Sequence, residues 1–519
     1  MKNIGRFIKN GLLLSVVSIL LRTIGVAFNT FITARVGAAG TGLYQLVLSI
    51  YSPALTLATA GVNLAASRLV AEELGKDTLG LPRKVLTRCL QYAACASSLV
   101  GALVFLLSEY IALHWLGDGA AVELLRTLAV GLPFISLSSA MNGYFTAIRR
   151  VSRTAFVQLL EQGIRILLTL LFLSRTASGD NVACLTAVVA ASVATDGFSF
   201  IFTLLLCRHE TRKHTTALAS IAEPLPRILA ITLPVSVSSF LRSGLVALEH
   251  MLIPRGLKAG GTSYEAAMAA YGTLSGMSLP IVLFPASFLY SFSGLLIPEL
   301  AEAKEQRQHR LIRRTAERVI GTVLLFGIGV AGLLFSFAEE LGITIYRSTE
   351  AGYYIRMLAP LIPFMYLDSA VDAMLKGLGE QVFTMKVNII DAFVSVIAVW
   401  FLVPRLGLNG YIVVIYLSEM INFSFSYARL HRVTQANGHM LRRSFLPLTA
   451  VLLSVFAVQL LPLPSGTITA TALGLSIASM LYLSLLLLFG VISGRRLAFL
   501  LTASLGRQGQ GHKTKQPLI

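Results

Sequence analysis

Three arginines stand inside stretches otherwise apolar enough to cross a bilayer: Arg22, Arg165 and Arg242. A charge at the centre of a membrane helix costs about 2.5 to 3.5 kcal/mol on insertion scales, so such a side chain normally faces a wet cavity or an internal partner. The guanidinium stays charged and offers paired donors that match phosphate oxygens. These residues therefore suit recognition of an anion, above all a phosphate-bearing one. Arg165 has a partner four residues away in Glu161, on the same helix face with the acid N-terminal, which reads as a coupling element or a packing pair. Arg22 and Arg242 have no acid within a turn and are candidate cavity residues.

Arg242 and Glu249 are two helical turns apart, so both point to one face, expected to be the wet one. His250 beside them reads as an outer-interface residue. Asn29, Asn63 and Arg68 complete the candidate cavity set, in which the arginines leave the charge neutral to positive against Glu249. Asp196, Asp391 and Glu419, with Asp368 and Asp372, are acids within apolar runs and read as coupling or packing groups. There is no GxSxG elbow, HExxH helix or P-loop, and no Ser, His and Asp set that can be placed together. The four cysteines have no paired spacing. We therefore expect no enzyme, no metal and no cofactor. With no nucleotide-binding domain, energy must come from an ion gradient (Na⁺ or H⁺), the membrane potential or the substrate's own imbalance.

Positioning such residues requires membrane helices. Hydrophobic residues make up 55% of the 519 positions, 13% are charged, and mean hydropathy is +0.74, a balance no soluble domain needs. Runs of about twenty apolar residues fall near 10–33, 42–66, 84–107, 121–147, 153–174, 182–207, 225–250, 266–298, 312–337, 351–375, 382–403, 408–430, 445–462 and 468–492. The expected fold is thus an all-α polytopic membrane protein with about 14 transmembrane helices. The net charge of +18 reflects topology: most Lys and Arg fall on the side of the N-terminus, so both termini are expected to be cytoplasmic. Basic loops there attract anionic membrane lipids. Nucleic acid is not an expected partner, since no basic patch is interleaved with stacking aromatics. The first apolar run is too long for a signal peptide and is expected to be retained.

Residues 126–140, RTLAVGLPFISLSSA, and 356–370, RMLAPLIPFMYLDSA, match at eight of fifteen positions at an offset of 230. Shared apolar composition would not place Arg126/Arg356, Pro133/Pro363 and Phe134/Phe364 in register. The same offset pairs Glu161 with Asp391, and SVVSILLR ending at Arg22 is similar to SVSSFLR ending at Arg242. An internal duplication follows. The expected units are a first six-helix lobe at 1–220, a second at 221–440, two further helices at 441–495 and a tail at 496–519. Six helices per lobe is even, so a pseudo-two-fold axis runs along the membrane normal. Arg22 and Arg242 are expected to face one another across a central cavity. A monomer is expected, because the two lobes already enclose that cavity.

Arg22 to Gly25 (RTIG), GAAGTGLY at 37–44, RLVAE at 68–72, GYFTAIRR at 143–150, LLEQGIRI at 159–166 and Glu249 together resemble the stage V sporulation protein B family. That family lies in the polysaccharide transporter branch of the multidrug/oligosaccharidyl-lipid/polysaccharide exporter (MOP) superfamily, beside the MurJ-type lipid II flippases. The likeness extends to about Arg432. It implies two lobes forming a V, and alternating access that carries an undecaprenyl-diphosphate sugar from the inner to the outer leaflet of a bacterial cytoplasmic membrane. It also implies a part in cell-wall or spore-cortex synthesis. Arg22 and Arg68 are the implied equivalents of the arginines that hold diphosphate and sugar in MurJ-type flippases. The chain departs from those flippases in its eighth helix, which has no charge between Tyr271 and Pro298; Arg242 is expected to substitute. A cation-coupled multidrug exporter of the same fold is the alternative.

Overall fold

A computed structural model describes residues 2–75, 81–148, 150–176, 181–211, 225–436, 440–461 and 467–491. The expected tail at 496–519 lies outside the described residues.

The chain begins with Lys2–Gly75, a helix broken once, at Gly37. We number its legs α1 (2–36) and α2 (38–75). Gly37 has φ 72° and ψ −179°, a conformation essentially reserved for glycine. The turn between the two legs is therefore a single residue, whose carbonyl accepts a hydrogen bond from Thr41 Oγ1 at 2.7 Å. The following crossings are α3 (Leu81–Tyr110), α4 (Ala120–Ala147), α5 (Val151–Leu173), α6 (Asn181–Thr211), α7 (Leu225–Ala259) and α8 (Tyr264–Leu283). After α8 come α9 (Ala286–Glu305), α10 (His309–Ser336), the short α11 (Ala338–Tyr346) and α12 (Thr349–Gly377). Then follow α13 (Gln381–Leu406), α14 (Leu408–Thr434), α15 (Met440–Gln459) and α16 (Ile468–Leu488).

Twelve helices among the described residues are long and apolar enough to cross a membrane. One of them, Ile19–Glu73, contains both α1 and α2, and Ser444–Gln459 is a shorter apolar helix. Counted as crossings, these give the fourteen expected. One correction concerns the run 266–298, which is not a single helix. It passes through a π turn at Thr273–Ser278 and breaks at Phe284 and Pro285 before α9 begins. A π turn frees backbone groups within a helix. Here Ser278 Oγ bridges two carbonyls, Thr273 O at 3.1 Å and Ala351 O at 3.0 Å.

The duplication is visible in paired contacts. Arg126 Nη2 lies 3.5 Å from Glu109 Oε2, and Arg356 Nη2 lies 3.5 Å from Glu339 Oε2. Both residues of the second pair stand 230 positions after those of the first, so the repeat extends into the α3–α4 and α10–α12 hairpins. The lobes meet through α1 and α2 against α7 and α8, sharing one apolar core that runs from Leu43, Leu46 and Val47 to Met268, Tyr271 and Leu274. At the other end Ile228 of α7 joins the cluster of Leu69, Val70 and Phe145. The two extra helices pack on the second lobe, with α15 on α10 at Gly332 and Tyr482 of α16 on Gly329.

Replacing Gly37 with Ala is expected to destabilise the fold by about 1 to 3 kcal/mol, the cost of holding a side chain in that backbone region. Gly163→Ala, where an added Cβ meets open space, is expected to leave stability unchanged or slightly raised. Melting temperatures of the two detergent-solubilised variants check this.

Candidate functional site

Between the lobes lies a cavity of about 300 Å³ whose polar lining is Arg22 of α1, Gln45 and Ser49 of α2, His250 of α7, and Tyr271 and Ser275 of α8. No carboxylate lines it among the described residues. Arg22 is exposed. It sits fifteen residues before the Gly37 break, about 22 Å down the helix at 1.5 Å per residue. Tyr271 is fully buried and shares a hydrogen bond of 2.6 Å with His250 Nδ1. His250 is thus not the outer-interface residue expected: the turn of α7 that carries it packs on α8 of the same lobe and lines the cavity at the lobe boundary. Asn29, two turns from Arg22, donates from Nδ2 to Gly276 O at 2.7 Å. That carbonyl belongs to the π turn, so the irregular backbone of α8 and the asparagine of α1 complete one another.

The two lobes touch on either side of the cavity. At the end of the α2 C-terminus, Arg227 of α7 bridges Glu72 Oε2 at 2.6 Å and Glu73 Oε1 at 3.2 Å. Arg68 joins this latch through Glu72 at 3.0 Å, with its side chain 65% exposed. Arg68 therefore belongs to the latch and does not line the cavity. At the other end the backbones touch: a Cβ on Gly42 would strike the Met268 carbonyl, and one on Gly272 would strike that of Ala38. Midway, the hydroxyls of Thr56 and Ser243 share a hydrogen bond of 2.8 Å.

Arg242 and Glu249 do share a face, but it turns to the second lobe and not to the Arg22 cavity. Arg242 interacts electrostatically with Asp391 and Asp368. Glu249 accepts a hydrogen bond from Tyr411 and lies within electrostatic reach of Asp391. The expected confrontation of Arg22 with Arg242 gives way to two separate settings. The acids of α12, α13 and α14 form a group in which Glu419 interacts with Asp368, Asp372 and Asp391. Asp391 accepts from Ser418 Oγ at 2.7 Å, and Lys376 lies 3.7 Å from Asp372. One oxygen each of Asp368, Asp372 and Glu419 is buried without a hydrogen-bond partner among the described residues, a condition that calls for a proton, ion or water. No group of three or more His, Cys, Asp or Glu among those residues could hold a metal ion.

In the first lobe Arg165 sits between two acids, 2.8 Å from Glu161 and 3.7 Å from Asp196, and Ser199 Oγ donates to Glu161 Oε2 at 2.9 Å. This set ties α5 to α6. Asn63 donates to Ser139 O at 3.0 Å, joining α2 to α4, and is likewise not a cavity residue. Sequence reading missed Gln45, Ser49, Tyr271, Ser275 and the latch. Uncharged residues in an apolar run give no signal, but Arg227 at the start of α7 and the paired Glu72 and Glu73 at the end of α2 did mark possible ionic contacts.

A family model described as a polysaccharide biosynthesis protein matches residues 7–304, more than half of the chain. The chain belongs to the polysaccharide biosynthesis protein family. A second model, MatE, matches residues 259–402. Stage V sporulation protein B of Bacillus subtilis (strain 168) is 26% identical over 411 residues, covering 78% of this chain and 79% of the relative. Lipid II flippase MurJ of the same organism is 20% identical over 456 residues, covering 82% and 83%. Among solved structures, lipid II flippase MurJ in an inward closed conformation superposes with a TM-score of 0.70 at 13% identity, over 93% of this chain and 99% of that one. An inward-facing multidrug resistance MATE family transporter gives 0.63 at 15% identity, over 81% and 99%. Both share the fold of this family member, a multi-pass bundle of membrane helices.

Arg227→Glu is expected to open the latch end, and adding Glu72→Arg with Glu73→Arg to close it again. The check is maleimide labelling of a single cysteine at Ser49, faster in the first variant and restored in the triple. The exposed part of this bridge contributes only about 1 kcal/mol or less, so the readout is accessibility and not stability.

Proposed function

We propose that this chain is an alternating-access flippase that moves an undecaprenyl-diphosphate-linked sugar, a peptidoglycan precursor of the lipid II type, between leaflets. The direction is from the inner to the outer leaflet of a bacterial cytoplasmic membrane, with both termini cytoplasmic, and the product feeds cell-wall or spore-cortex synthesis. The observation that carries the reading is the cavity between the lobes, which holds Arg22 and, among the described residues, no carboxylate. An arginine there matches a diphosphate, and Gln45, Ser49 and His250 add groups that hydrogen-bond phosphate or sugar hydroxyls. The relatives named above support it, one of them being a lipid II flippase.

Coupling belongs to the second lobe in this reading. The acids around Asp391 repel one another, and a proton entering there relieves that repulsion. A proton is the ion assigned here, since a single carboxylate oxygen without a hydrogen-bond partner is enough to accept it. The transporter acts as a monomer with both lobes in one chain. The multidrug reading finds support in the MatE match and in these same acids. They lie within the second lobe and off the cavity, however, where a cationic drug would need them.

In liposomes carrying fluorescent lipid II, Arg22→Ala is expected to slow flipping about tenfold or more, the loss of one charge-assisted phosphate contact, and Arg22→Lys to retain part of the rate. Wild-type protein that flips no lipid but exports a cationic dye would overturn the reading. Asp391→Asn is expected to abolish acceleration by a pH gradient while flipping without a gradient persists; a Na⁺ gradient that accelerates wild type where a pH gradient does not would assign the coupling to Na⁺ instead.

A further inference from the structure

A second hollow, about 650 Å³, lies on the outside of the first lobe, with α4 as its floor and α3 and α6 as its walls. Its lining is apolar except at one end. Phe105, Val130, Phe198 and Ile201 are 44%, 55%, 54% and 54% exposed, so in a bilayer they face hydrocarbon. The polar end is Arg126. It donates from Nε to Ser108 Oγ at 3.1 Å, stacks 5.5 Å above the Phe105 ring, and holds Nη2 3.5 Å from Glu109 Oε2. These contacts engage two of the five N–H groups a guanidinium carries. Glu109 remains 66% exposed.

The level of Arg126 in the membrane follows from its neighbours. Tyr110 and Trp115, 54% and 41% exposed, mark the end of α3 with side chains that favour the membrane–water interface. From Arg126 the groove descends along α4 to Phe134, eight residues or about 12 Å at 1.5 Å per residue. It thus runs from headgroup depth into the hydrocarbon, the path of one acyl chain. Beside the groove, Leu99 and Ala102 of α3 are exposed, Leu99 at 65%, whereas their counterparts on α10, Gly329 and Gly332, receive Tyr482 and Val451. Exposed apolar side chains at membrane depth make lipid the cover of this side of the first lobe.

We propose that this groove binds a glycerophospholipid with a phosphoethanolamine headgroup, its phosphate on Arg126, its ammonium on Glu109 and one acyl chain along Val130, Phe134 and Phe198. Adjacent opposite charges 3.5 Å apart complement a zwitterion better than a polyanion. The single arginine beside a carboxylate suits a phosphodiester monoanion, whereas a diphosphate would repel Glu109. A primary ammonium also donates hydrogen bonds to a carboxylate, which a trimethylated one does not. The site rests on the fold and not on the transport reading.

The test is native mass spectrometry of the purified protein titrated with phosphatidylethanolamine, phosphatidylglycerol and phosphatidylcholine of equal chain length. Phosphatidylethanolamine adducts are expected to exceed the other two. Arg126→Ala should lower them about tenfold, as for loss of one charge-assisted hydrogen bond, and Glu109→Gln should reduce them to the level of the other lipids. Gly197→Leu, at a groove position where an added side chain meets open space, should block all three lipids without touching the headgroup pair, and keeps the test open if Arg126→Ala does not fold. Equal binding of the three lipids by wild type, a preference for phosphatidylglycerol, or unchanged phosphatidylethanolamine binding by Gly197→Leu would overturn the proposal.

Discussion

A permanent charge in the middle of a membrane crossing has to be kept wet or paired, and Arg22 imposes that condition on the whole fold. α1 alone cannot meet it. The condition is met by bringing α2, α7 and α8 around the arginine, each supplying a small or polar side chain, so that the cavity is a product of the lobe boundary. The irregular backbone of α8 follows from the same need: its π turn presents the Gly276 carbonyl to Asn29, where a regular helix would keep that carbonyl for itself. Non-helical backbone at membrane depth is tolerated where it is buried in protein or faces water, and this turn meets that requirement.

The contacts between the lobes differ in kind on the two sides of the cavity. One side is an ionic bridge, Arg227 on Glu72 and Glu73, whose partners water can solvate in its place. The other is backbone against backbone at Gly42 and Gly272, a packing that holds only in close register. A cavity of about 300 Å³ sits at the lower limit for small-molecule pockets, so a diphosphate sugar would require the lobes to separate. Rocking of two lobes about a central site is the general behaviour of transporters built from repeats; here Arg22 at the boundary stands apart from the acidic group of the second lobe.

Much of the fold was legible in the sequence. The number of crossings followed from apolar runs, and the repeat from RTLAVGLPF against RMLAPLIPF, because polar and proline positions in register carry information that hydropathy does not. The site was legible only in part. Arg22 announced itself as a charge in an apolar run, and Glu161 with Arg165 as a compensated pair. Arg242 looked like the mate of Arg22 in a repeat-related position, but its seven-residue partner Glu249 lies on the face that meets Tyr411 and Asp391. Helix periodicity fixes which residues share a face and not what that face meets. His250, one residue further, rotates about a hundred degrees away and reaches the cavity. Arg68 was read as a cavity group although Glu72 stands four residues after it, because spacing alone did not show that Arg227 of another helix would share that acid.

The central claim is that Arg22 at the lobe boundary holds the diphosphate. A structure of the protein bound to a short-chain prenyl-diphosphate sugar tests it most directly. The account predicts diphosphate density against Arg22, between α1, α2, α7 and α8, with the lobes further apart than in the closed form. Density centred on Arg242 among the acids of the second lobe, with Arg22 untouched, would contradict it.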